Sequence, residues 1–367
     1  MRKKSKLTKY LLVLFVVVIT AVLFYYNFEP EKGIRVEKWD NIYDENNIML
    51  FYENSESTNT TLKKLDSIYK INEIVSKEDS EINKVLKTVD ILNTVVDYDH
   101  ISDSNYNNAY EILKEKGKGK KVSGRDMAII ERDLLLSVGF VSRVGEFRKE
   151  EPQFESTSSY YVVEYFSPKY KKWVMIDFIN RAYLSKNKTP IAAIDMLSED
   201  IDKLSYKGNE KYDEFKRDIK KYLSSYTIAI DNTIPSSKSN TFITYISSEK
   251  DIDLKKEDKF IGPTIFTNKK ELFIKEPTSN EIGNDKKAYL VLLKTVDKED
   301  NKNYNYVIGA FQNSSIINNY YLKIDDKEWQ PINSFYYQYN LKKGKSKIQL
   351  SLDGKTVLSE IVINREV

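Results

Sequence analysis

The chain has no cysteine and one histidine, His100, in 367 residues. Without a thiol there is no cysteine nucleophile and no disulfide framework, and without a His/Cys cluster there is no ligand set for a structural or catalytic metal. A lone histidine is more often a loop or capping hydrogen-bond partner than a ligand or base. Glycine (12) and proline (8) are also scarce, which argues against a low-complexity or collagen-like chain, and no Gly-rich phosphate loop is found. No metal and no cofactor is expected.

What is present is a globular composition, 41% hydrophobic and 31% charged with 27 tyrosines, long enough for two or three domains. The first nine residues, MRKKSKLTK, carry five positive charges, and Tyr10 to Tyr26 is apolar except for Thr20. The expectation is a transmembrane helix over 10–28 acting as a signal anchor, with Phe24, Tyr25 and Tyr26 at the interface. A cleavable signal peptide also fits the basic start and apolar run, but no small-x-small cleavage site precedes Glu29. The positive-inside rule then places residues 1–9 in the cytoplasm and Glu29 to Val367 outside the cell membrane. Removing the leader's five charges from the net +3 leaves about −2, so the exported part is no basic nucleic-acid binder.

Residues 29–58 read as a stalk with a short strand at Ile48 to Tyr52. Leu62 to Val75 and Ile82 to Val96 carry helical spacing, and Glu210 to Tyr226 reads as an exposed charged helix within a linker over 206–226. From 227 to 367 the chain reads as β-rich. Strands are expected at Thr241 to Ser247, Glu271 to Lys275, Ala288 to Val296 and Tyr304 to Gln312, with a hairpin signal at Asp353-Gly354 near an Ig-like end. Trp329, Tyr336, Tyr337 and Tyr339 could stack on sugar rings, although aromatics in sandwiches are more often core.

The most informative stretch runs from Gly117 to Tyr183. Ser123 stands at capping-box spacing from Asp126, ahead of the apolar positions Met127, Ile130, Leu134 and Val138, and Gly139 stops the helix. Tyr160 to Phe166 and Trp173 to Phe178, separated by Ser-Pro-Lys-Tyr-Lys-Lys, read as a hairpin.

These residues resemble the papain-like core of the transglutaminase-like superfamily, secreted bacterial type, over about 60–200. The small residue inside the helix is Ala128, Ser137 to Arg143 is similar to the signature after it, Glu164 matches the glutamate of the first strand, and Trp173-Val174-Met175-Ile176-Asp177 matches the second-strand motif. The resemblance implies a domain over 59–205 whose triad positions are Gly124 for the cysteine, Tyr160 for the histidine and Asp177 for the aspartate, all three converging. The expected fold class is therefore α+β: a transmembrane helix, a papain/transglutaminase-like α+β domain and a C-terminal all-β, Ig-like region.

With two of the three triad residues replaced, the expectation is a pseudoenzyme rather than an enzyme. It would be a membrane-anchored extracellular protein that binds or scaffolds a protein or peptide partner or a cell-wall polymer, with Ser123, Trp173 and Trp329 as binding candidates. Two alternatives remain. One is a hydrolase or acyltransferase with Ser123 as nucleophile beside Tyr160, Lys120 or Lys121, against which Ser123 as a helix cap is the plainer account. The other is a carbohydrate-binding cell-wall module centred on the tail.

Overall fold

The computed structural model describes residues 34–43, 49–53, 59–116, 120–149, 159–234, 238–248, 263–277, 287–294 and 305–365. At the centre lies a six-stranded sheet in the order Thr264–Thr267, Phe242–Tyr245, Ser225–Ala229, Ser142–Arg148, Ser159–Ser167, Lys172–Ile176. Every neighbouring pair is antiparallel except Phe242–Tyr245 with Thr264–Thr267.

Strand period sends successive side chains to opposite faces, and each face has its own cover. On one face Val163, Tyr165, Val174 and Ile176 pack with Met127, Ala128, Ile130 and Leu134 of the core helix, Gly124–Ser137. Around that helix stand Thr60–Tyr69, Ile71–Val75, Glu81–Val95 and Ala109–Lys116. Ser123 begins the core helix by accepting from the Asp126 N–H at 3.1 Å, and Gly139, at φ 94°, ends it in the left-handed region that glycine tolerates. On the other face Phe147, Val162, Trp173 and Met175 pack with the 3₁₀ turn Ala193–Leu197 and with Phe215 and Ile219 of the helix Tyr212–Ile219.

The C-terminal part is a two-sheet sandwich around one core. One sheet runs Ile34–Asp40, Ser359–Arg365, Gly344–Ser351, Tyr320–Ile324, Gln330–Ile332; the other pairs Tyr289–Lys294, Asn305–Gln312 and Ser315–Ile317, with Tyr337–Asn340 also on Asn305–Gln312. Gly354, at φ 70°, and the Asp353 carboxylate, which accepts from the Lys355 and Thr356 N–H groups, turn the chain between Gly344–Ser351 and Ser359–Arg365.

Several expectations need correction. Among the described residues no helix is long and apolar enough to cross a membrane. The described residues form a mixed α+β fold that offers no membrane-crossing helix to support the expected single-pass localisation, and residues 1–33, the expected anchor included, lie outside those described. The segment read as a stalk is built into both halves. Ile34–Asp40 completes a sandwich sheet, Asn41 exchanges two hydrogen bonds with the Leu290 backbone (2.6 and 2.7 Å), and Tyr43 is fully buried against Tyr289, their ring centroids 4.4 Å apart. The boundary at 226/227 falls inside Ser225–Ala229, a central-sheet strand paired with Ser142–Arg148. The helix there covers only Tyr212–Ile219, with Phe215 and Ile219 buried, so it is no linker. Glu271–Ile274 is a helical turn, not a strand, because Leu272 and Phe273 bury together on the sheet.

Candidate functional site

Of the three positions expected to converge, two do. Tyr160 opens the strand Ser159–Ser167, and its hydroxyl donates to Asp177 Oδ2 at 2.6 Å. The Asn180 side-chain amide donates to the same oxygen at 2.8 Å and to the Tyr160 hydroxyl at 3.3 Å, while the Ile179 and Asn180 N–H groups reach Asp177 Oδ1 at 3.1 and 3.2 Å. Asp177 is fully buried, so it caps the turn to Ala182 with four donors in place. Burial pushes its carboxyl up, against the pull of the Tyr160 and Asn180 donors. Burial together with the Asp177 charge pushes the Tyr160 phenol well above its ordinary range. A phenol so placed donates a proton tightly and does not act as a base at neutral pH.

Gly124 does not join them. A side-chain carbon built on Gly124 would lie 3.3 Å from Cδ2 of Tyr161 and 3.5 Å from Cε2 of Tyr98. Tyr161 packs with the core-helix face of the sheet, Tyr160 with the opposite face. A one-residue step along a strand changes face, so the residue opposite Gly124 is Tyr161, and the convergence of Gly124, Tyr160 and Asp177 is corrected to Tyr160 and Asp177 alone. The signal was in the sequence: Tyr161 is in phase with the apolar Val163 and Tyr165, whereas Tyr160 is in phase with Glu164.

Around the head of the core helix the remaining groups are committed to structure. Ser123 is buried and its hydroxyl oxygen is used as the cap. Lys121 pairs with Asp99 at 3.0 Å. His100 is exposed and its Nδ1 lies 2.9 Å from the Tyr98 hydroxyl, so the one imidazole reaches Gly124 only through the Tyr98 ring. Asp126 accepts from the Ser104 N–H and hydroxyl, Arg125 donates to the Ser104 carbonyl at 3.1 Å and to Asn107, and Asp133 accepts from the Ala109 N–H at 2.7 Å. The polar residues of the helix therefore pin the loop that carries Tyr106, while Tyr98 stands on the strand Val96–Tyr98 paired with Lys120–Val122. Both of those rings are about one-third exposed, 37% each, unlike the buried aromatics elsewhere in the core.

Of the other binding candidates, Trp173 is core and Trp329 is not. Trp173 is fully buried, donates its indole N–H to the Lys275 carbonyl at 2.8 Å and stacks 4.0 Å under the Arg143 guanidinium. Trp329 is half-buried in the turn between Tyr320–Ile324 and Gln330–Ile332. Tyr336 lies over Gly309, Tyr337 is half-buried against the sandwich core, and Tyr339 is buried with its hydroxyl 2.8 Å from Ser346 Oγ.

A feature missed in the sequence lies under Trp173. Arg143 and Glu164, both fully buried, meet side by side at 2.8 and 2.7 Å. Glu164 also accepts from the Tyr226 hydroxyl at 2.7 Å and from the Ala193 N–H at 2.7 Å, and Arg143 donates to the Tyr52 hydroxyl at 3.0 Å and to the Phe273 carbonyl. The Glu164 charge favours the guanidinium cation although burial opposes it. The buried pair thereby fixes six chain segments to one another.

Searches with the sequence find no protein-family model that matches it and no curated protein that matches it significantly. Two statements hold on the sequence and geometry alone: the chain has no cysteine for a thiol-dependent active site, and no group of three or more His, Cys, Asp or Glu residues stands ready for a metal ion among the described residues.

Proposed function

We propose that this protein is a non-catalytic binding or scaffolding module built on a core that resembles the transglutaminase-like fold, with the head of the core helix as its contact surface for a protein or peptide partner. The observation that carries this reading is the aromatic border of Gly124. Where the family resemblance asks for a nucleophile, glycine supplies no reactive atom, and the Tyr161 and Tyr98 rings lie 3.3 and 3.5 Å from where a Cβ would stand. Tyr98 and Tyr106, each about one-third exposed at the same end, add the aromatic surface that partner contacts favour. Arg143 with Glu164 supports the likeness as a scaffold, and the placement of Tyr160 on the sheet face opposite the core helix departs from it.

The test has two arms. The full-length protein, incubated with a glutamine-containing peptide and a primary amine, is expected to release no ammonia and to incorporate no amine. Turnover that Ser123→Ala abolishes while the fold is retained would overturn the reading in favour of a serine-dependent enzyme. In the second arm, peptides selected by display on the full chain should lose binding to Tyr98→Ala and Tyr106→Ala variants. Selected peptides that bind both variants as well as the parent would place the contact surface elsewhere.

A further inference from the structure

We propose that Glu131 is held as a neutral carboxylic acid and that its proton is the latch between the core helix and the helix Glu81–Val95. Glu131 sits on the core helix with no solvent exposure. Its Oε1 lies 2.6 Å from Thr88 Oγ1, and Thr88 Oγ1 lies 2.6 Å from the Val85 carbonyl oxygen. The threonine hydroxyl has one proton, and a carbonyl oxygen supplies none. Two contacts this short therefore need a second proton, and only the carboxyl can carry it. The chain of donors then runs from the Glu131 O–H to Thr88 Oγ1 and from the Thr88 O–H to the Val85 carbonyl. Glu131 Oε2 has no hydrogen-bond partner at all, a state that a neutral carbonyl-type oxygen tolerates far better than an ionised carboxylate.

The surroundings point the same way. Asp90, two residues along from Thr88, is the charged neighbour that acts on Glu131, and it disfavours a second negative charge; Asp90 itself pairs with Arg181 and, at 4.0 Å, with Lys87. On the core helix the adjacent Arg132 and Asp133 pair with each other at 2.8 Å. Burial pushes the Glu131 carboxyl well above the ordinary carboxylate range, the Thr88 hydrogen bond being the smaller, opposing effect.

A carboxyl whose proton affinity is raised by folding contributes stability that is complete below its ordinary pKa and is lost as pH rises toward the folded value. The helix Glu81–Val95 leads directly into Val96–Tyr98, which pairs with Lys120–Val122 just before Gly124. Loss of the proton thus loosens the two elements that bring Tyr98 onto Gly124.

The test uses the full chain and a Glu131→Gln variant, whose amide donates to Thr88 as the acid does. The infrared difference between the two at neutral pH should contain the carbonyl band of one protonated carboxylic acid. Amide exchange, corrected for its intrinsic pH dependence, should show core-helix protection in the parent falling above the ordinary carboxylate range with a slope up to tenfold per pH unit steeper than in Glu131→Gln, where Asp126, Asp133 and Asp177, also raised by burial, still titrate. A difference spectrum without that band, or protection with the same pH slope in both proteins, would overturn the proposal. The infrared arm stands even if the variant is destabilised, because the band is sought in the parent.

Discussion

Replacing Gly145 by alanine should disable the buried pair of Arg143 and Glu164 without touching either residue. An added Cβ would lie 2.1 Å from the Tyr226 hydroxyl oxygen and 2.6 Å from Cε2 and Cζ of the same ring. Carbon contacts settle at about 3.5–4.0 Å, so the ring must retreat by roughly 1 Å. It has little room to do so, because Phe147 and Phe273 flank it with ring centroids at 4.9 and 5.7 Å. Any retreat withdraws the hydroxyl from Glu164 Oε2, now 2.7 Å away. Overpacking a core by this much costs about 1–3 kcal/mol, and a hydrogen bond to a buried charge is worth a further ~1.5–3 kcal/mol. The combined loss of stability is therefore roughly 3–6 kcal/mol. Urea unfolding followed by tryptophan fluorescence is a suitable assay, since Trp173 stacks on Arg143 inside the network. The decisive comparison is a double-mutant cycle with Tyr226→Ala, which removes the atoms that clash. In that background Gly145→Ala should cost less than about 1 kcal/mol, close to its effect at an unhindered strand position. Additive losses, or a Gly145→Ala cost near zero in the parent, would refute the account of why glycine stands there.

Other outcomes follow from the same geometry. Asp177→Ala strips the acceptor from Tyr160 and Asn180 inside the fold and should destabilise by about 2–4 kcal/mol in the same assay, whereas Tyr160→Phe, which leaves Asp177 its other donors, should cost only ~1–2 kcal/mol. Ser123→Ala removes the cap of the core helix and should cost about 1 kcal/mol by thermal or denaturant unfolding. Leu134→Ala, at a fully enclosed site between helix and sheet, should cost ~2–5 kcal/mol. Gly124→Ala places a methyl 3.3 Å from Tyr161 and should be tolerated within about 1 kcal/mol; a larger loss would show that the two tyrosine rings cannot give way.

The core helix and the hairpin beyond it could be read from the chain because their information is local. Ser123 and Gly139 mark the helix ends, the apolar phase marks its buried side, and Ser-Pro-Lys-Tyr-Lys-Lys separates two β-prone runs. What escaped was decided by partners far away in sequence. Ile34–Asp40 has too few apolar residues to announce itself as a strand until Ser359–Arg365 is beside it. Ser225–Ala229 looks like the start of a separate β region until it pairs with Ser142–Arg148. Glu271–Ile274 has a strand-like composition, yet burial of Leu272 and Phe273 and the Phe273 carbonyl's bond to Arg143 hold it as a helical turn. The site was misread by one residue: family likeness chose Tyr160, while strand alternation, visible in Tyr161, Val163 and Tyr165, puts its neighbour against the helix. Glu131 was invisible as a special residue because helix patterning does not distinguish a buried acid from one on a solvated face.

The pairing of the strands Ile34–Asp40 and Ser359–Arg365 also sets an order of events during synthesis. The ion pair between Lys38 and Glu360 joins positions 322 residues apart. At a translation rate of ~5–20 residues per second, Ile34–Asp40 waits roughly 15–65 s for its partner to be made. The central sheet, whose strands all lie between Ser142 and Thr267, can form in that interval, but the sandwich cannot close. Among the described sandwich strands Ser359–Arg365 is made last, and its two neighbours are Gly344–Ser351 and Ile34–Asp40, the one made earliest. Completion of the sandwich is thus a closure of very high contact order, and the nascent chain exposes an open sheet edge until it happens.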